Sequence, residues 1–149
     1  MTMGRAVTGI LHLVNQTVID FYSKKQPLVE TATYGSEFMA ARTSMEQIIE
    51  LRTTLRYLVV PIQGTSYMFG DNKMVTDSSI NPASKLNKRH VILSYHCVCE
   101  AIAARIVYFT FIHGKDNPAN ILSKAWGYSS IWPLLKTLLC WEGNTLDVE

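Results

Sequence analysis

The apolar positions of this chain change period along its length, and each change marks an element. GILHLV (Gly9 to Val14) and VIDFYS (Val18 to Ser23) read as two strands joined by the tight polar connection Asn15-Gln16-Thr17, a hairpin. The segment from Lys24 to Thr33 is polar and broken by a proline, so it reads as a loop. From Thr33 the spacing becomes three and four: Phe38, Ala41, Met45, Ile48, Ile49, Leu55 and Leu58 lie along one face of a long helix, with Thr33 as N-cap and Pro61 closing the segment. Tyr67 to Phe69 is a short apolar strand that stops at Gly70-Asp71-Asn72. A second helical stretch gives way to a Pro/Ser/Asn/Lys segment from Ser78 to Lys88, after which Val91, Tyr95, Val98 and Ile102 mark a third helix. Ile106 to Ile112 is β-branched and aromatic, hence a strand. A last amphipathic stretch runs from Asn117 past Trp132-Pro133 to Trp141. The order of elements is that of an α/β fold with a mixed sheet, without internal repeats or low-complexity tracts.

Composition narrows the class. With 149 residues, 48% of them hydrophobic and 17% charged, the chain is long enough for one globular core, so a single domain, or a piece of one, is expected over 1–149. The formal net charge of +2 permits contact with an anionic polymer without demanding it, so any nucleic-acid contact must come from local basic clusters. Three cysteines, Cys97, Cys99 and Cys140, make no disulfide ladder and suit a reducing, intracellular compartment, cytoplasm or nucleus. The apolar stretch Ile10 to Val14 is interrupted too soon for a signal peptide, and no run approaches the roughly 18 apolar residues of a membrane span.

Functional groups in α/β folds collect at the carboxyl ends of strands and the amino ends of the helices that follow. Glu37 in the first turn of the long helix, Asp71 just past a strand, and Asn120 in the first turn after another strand meet that description. Paired carboxylates repel and persist most easily around a cation, and Mg²⁺ in particular takes oxygen ligands, which points to metal-assisted phosphoryl chemistry. Each residue also has an ordinary role: the helix dipole favours Glu37, and Asp71 serves a turn. Lys85, Lys88, Arg89 and His90 form a basic cluster suited to phosphates or to a solvated helix start. Cys97 and Cys99, two apart on a helix, face different directions and make a zinc site with His96 improbable. Tyr108, Phe109 and Phe111 read as sheet core rather than a base-stacking platform. His113 sits in the loop before the last helix, where a lone histidine is ordinarily solvated.

TATYGSEFMAAR (Thr31 to Arg42), MFGDNKMV (Met68 to Val75), LNKRHVILSYHCVCEAI (Leu86 to Ile102) and NPANILSKAWG (Asn117 to Gly127) occur in an order that resembles the ribonuclease H domain of copia-type LTR retrotransposon Pol polyproteins. GRAVTGILHLV followed by VIDFYSKKQ (Val18 to Gln26) looks like that family's second and third strands, so the resemblance covers nearly the whole chain. It implies a ribonuclease H-like fold, a mixed sheet flanked by helices, that hydrolyses the RNA strand of RNA–DNA hybrids with two Mg²⁺ ions held by four acids, beside the reverse transcriptase region of a polyprotein. Glu37 and Asp71 match two of those acids. Asn120 stands where the late motif carries its final aspartate, and Asp116, before the Asn117 cap and Pro118, is no substitute. The family's first acid lies on a central strand preceding the GRAVTG-like segment, for which this chain has only three residues. Two of four ligands therefore remain, and the resemblance implies lineage with cleavage impaired or lost. The alternative is a non-catalytic remnant or host-recruited domain that binds nucleic acid.

Overall fold

The computed structural model describes residues 5–27, 33–81 and 91–139. The chain falls into two compact units, one of Met1–Pro27 with His113–Glu149, the other Leu28–Ile112.

The first unit is built on an antiparallel hairpin of β1 (Val7–Val14) and β2 (Thr17–Lys25). Its two turn residues, Asn15 and Gln16, have φ of 49° and 67°. Positive φ at both positions is what a two-residue turn needs to match the twist of its strands, and Asn tolerates it better than most residues. The register shifts between His12↔Asp20 and Leu13↔Val18, which leaves Ile19 as an extra residue on β2, the bulged strand. Gly9 is fixed by close approach: a Cβ there would meet the Ala119 carbonyl oxygen at 2.7 Å and Leu122 Cβ at 3.0 Å. A short 3-10 helix, Pro118–Leu122, therefore lies directly on the hairpin, and Ser23 Oγ donates to the Leu122 carbonyl across 2.7 Å. The last amphipathic stretch is not one helix: the 3-10 helix ends at Leu122, and an α-helix, α4, begins only at Tyr128 and runs over Tyr128–Leu138.

The second unit opens with α1 (Thr33–Tyr57) and continues through β3 (Ser66–Gly70), α2 (Lys73–Ile80), α3 (Ile92–Ala103) and β4 (Val107–Phe111). The three-and-four spacing of α1 puts Phe38, Ala41, Met45 and Ile48 in the core. There they meet Met68 of β3, Val75 of α2, Tyr95 and Val98 of α3, and Val107 and Phe109 of β4. Phe38 packs edge-on against Tyr34 and Tyr95, with ring centroids 5.0 and 5.6 Å away. Ile49 and Leu58, expected on the same face, are exposed, because the helix ends at Tyr57 before Leu58 and Ile49 lies off the buried stripe. β3 and β4 pair in parallel from Ser66↔Val107 to Gly70↔Phe111.

The α/β class is as expected. Among the described residues the strands form two separate two-stranded sheets, one antiparallel and one parallel, with no strand joining β1 to β3. No helix among the described residues is long and apolar enough to cross a membrane.

Candidate functional site

The long helix α1 begins at Thr33, and no acidic residue lies in its first turn. Glu37 therefore sits just past that turn, a correction to its expected position, and is half-buried beside the fully buried Phe38. Attraction to the free amide groups of the helix end falls off within the first turn, so the dipole is a weaker reason for an acid here than the sequence alone implied. Asp71 follows Gly70, the last residue of β3, and is half-buried. Capping of α2 is done by its neighbour: Asn72 takes an extended conformation and its side chain accepts from the Val75 amide at 3.3 Å. Asp71 is thus not the residue that starts the helix. Gly70 accommodates the Phe109 ring, which a Cβ there would meet at 2.7 Å.

Asn120 belongs to the other unit and has a different task. It is 6% exposed, in the 3-10 helix capped by Asn117, whose side chain accepts from the Ala119 amide at 3.1 Å, with Pro118 in the first position. Its Nδ2 donates to the Gly114 carbonyl at 2.7 Å, and its Oδ1 accepts from Lys124 Nζ at 2.9 Å. Its backbone carbonyl accepts from Trp126 Nε1 at 2.8 Å. The side chain ties together the loop before the helix, the helix itself and the turn after it. This also explains why the expected long helix stops: Trp126 and the Lys124 amide close on Asn120, and Gly127 then starts α4 in an extended conformation.

The donor set does not fit a divalent ion at Asn120. An ammonium already occupies the amide oxygen, and a divalent ion about 4 Å from it near a protein surface would cost roughly 8 kcal/mol, so an ion would first have to expel Lys124. Among the described residues no group of three or more His, Cys, Asp and Glu side chains is placed to hold a metal. The basic cluster Lys85, Lys88, Arg89 and His90 lies outside the described residues, as do Cys140 and Trp141. Cys97 and Cys99 are half-buried free thiols, and burial pushes the Cys99 thiol up. His113 is exposed, and its carbonyl accepts from the Asp116 amide.

Of the aromatic stripe expected in the core, Phe109 is buried and Phe111 half-buried, but Tyr108 points outward. The period of two requires this, since neighbours on a strand face opposite sides. The role of Lys124 was not drawn from sequence. The signal for Lys124 was its place four residues after Asn120.

The chain is 26% identical over 120 residues to the retrovirus-related Pol polyprotein from transposon TNT 1-94 of Nicotiana tabacum. The match covers 80% of this chain but 9% of that protein's length. It supports a region derived from a retrotransposon Pol polyprotein. No family model matches, and neither does any solved structure.

Proposed function

We propose that this chain is the ribonuclease H-like region of a copia-type Pol polyprotein in which hybrid cleavage has been lost and contact with nucleic acid retained. The Pol similarity supports the lineage. The observation that carries the loss of cleavage is the commitment of Asn120: its amide group is spent on Gly114 and Lys124, where the resembled motif places an acid. In the active family, Mg²⁺ held by carboxylates supplies charge to the attacking and leaving oxygens. Glu37 and Asp71 are the acids of this stretch that such an ion would use, and Asn120 brings no charge to replace the final aspartate.

Retained binding rests on Lys85, Lys88, Arg89 and His90, whose charges suit phosphates irrespective of sequence. The test is fluorescence anisotropy of a labelled RNA–DNA hybrid across a salt series. Replacing Lys85, Lys88 and Arg89 with alanine is expected to weaken binding and flatten the dependence of log affinity on log salt. Unchanged affinity and slope would reject these residues as the contact.

A further inference from the structure

Charge is divided unevenly between the two units. Among the described residues of the hairpin unit, Arg5, Lys24, Lys25, Lys115, Lys124 and Lys136 stand against two acids, Asp20 and Asp116. Among those of the other unit, Arg42, Arg52, Arg56, Lys73 and Arg105 are outnumbered by Asp and Glu. The formal net charge of +2 for the whole chain thus conceals a local excess. Of the two acids in the hairpin unit, Asp20 lies 3.4 Å from His12, toward the turn of the hairpin.

The excess has a focus at the open end of that hairpin. Lys24 and Lys25 close β2 and pair with Thr8 and Val7 at the start of β1. The Gln26 amide donates to the Ala6 carbonyl at 2.8 Å, which carries the pairing one step further and brings Arg5 alongside. All three cationic residues are exposed, and none has an ion-pair partner among the described residues. Like charges held side by side repel, and a bound polyanion removes that repulsion.

The arrangement suits a chain-like anion better than a flat one. Neighbouring residues of a strand project to opposite sides, so Lys24 and Lys25 put one charge on each face of the ribbon. A planar anionic surface meets one face of a two-stranded ribbon, whereas a phosphate backbone crossing its end passes both. We propose that the open end of the β1–β2 hairpin, Arg5 with Lys24 and Lys25, is a second phosphate-contact surface for nucleic acid, made of different residues from the Lys85–His90 cluster. The inference rests on the nucleic-acid reading above and adds a surface to it.

The test is anisotropy of the full chain with a labelled RNA–DNA hybrid over a salt series. Replacing Arg5, Lys24 and Lys25 together with alanine is expected to weaken binding about tenfold or more at low salt and to reduce the slope of log affinity against log salt by about one per cation. Lys24→Arg with Lys25→Arg keeps the charge and is expected to keep the binding. Arg56→Ala, which removes an exposed cation from the other unit, is expected to leave the slope unchanged. Circular dichroism establishes that the variants are folded, which the exposed positions lead us to expect. An unchanged slope in the triple variant, with binding still sensitive to Lys85, Lys88 and Arg89, overturns this inference and leaves the proposed function standing. A loss that Arg56→Ala reproduces charge for charge overturns it too, since net charge then explains the effect. So does competition by polyglutamate equal to that by unlabelled hybrid at matched charge, because the surface would then take any polyanion. Absence of hybrid binding by the folded chain overturns both readings.

Discussion

At Asn120 a single nitrogen separates two chemistries. Its Nδ2 donates to the Gly114 carbonyl in a buried setting, and an aspartate there would set a carboxylate against that carbonyl with no proton to give. Leaving a buried acceptor unsatisfied costs about 1 to 3 kcal/mol, offset in part by a closer ion pair with Lys124. Asn120→Asp is accordingly expected to lower the melting temperature and to produce no hybrid cleavage. Equal or higher stability together with cleavage would show that the amide is a recent lesion in an otherwise working site. Sequence spacing was enough to place Asn120 one turn after an Asn-Pro helix start. What it did not carry was the hydrogen-bond set, because Gly114 and Trp126 reach Asn120 only through the path of the loops on either side.

Among the elements, the helix ends show the least economical backbone. α1 closes with Val59 at φ 60°, and the Val60 amide reaches back to the Leu55 carbonyl at 2.9 Å. α3 closes alike, with Arg105 at φ 54° and the Ile106 amide on the Ala101 carbonyl at 3.0 Å. Glycine ordinarily fills that left-handed position, and a β-branched residue is especially strained in it. Val59 is also 87% exposed, so its side chain returns little packing. Val59→Gly is expected to stabilise the chain by about 1 kcal/mol, read as a rise in chemical-denaturation midpoint. A fall would mean that the isopropyl group makes a contact worth more than the strain. Element positions were largely legible: the hairpin, the inward face of α1 and the strand at Ile106 to Ile112 all follow from period. The end of α1 was not, since the apolar run Leu58-Val59-Val60 continues beyond the last helical turn. The break before α4 was hidden because apolar spacing persists on either side of it.

At the scale of the whole molecule, each strand was visible in the sequence but the sheet was not. Period reports which residues share a face; it does not report which strand lies beside which, and pairing between distant segments is set by tertiary contacts. Among the described residues the strands pair as two two-stranded sheets, which the expectation of a mixed sheet without its central strand did not specify. The candidate site divides in the same way. Glu37 and Asp71 were legible as acids near element ends, and the structure gives Asn72, not Asp71, the capping role. The outward turn of Tyr108 was missed because it was grouped with Phe109 and Phe111 by composition instead of being separated by alternation.

Loss of hybrid cleavage from this Pol-like region is the proposal at stake. It is tested most directly by incubating the purified chain with an RNA–DNA hybrid, labelled on the RNA strand, in millimolar Mg²⁺. The expected result is intact RNA even with the protein in excess over hybrid. Mg²⁺-dependent cleavage that Asp71→Asn abolishes would contradict that loss and assign Asp71 to a working site.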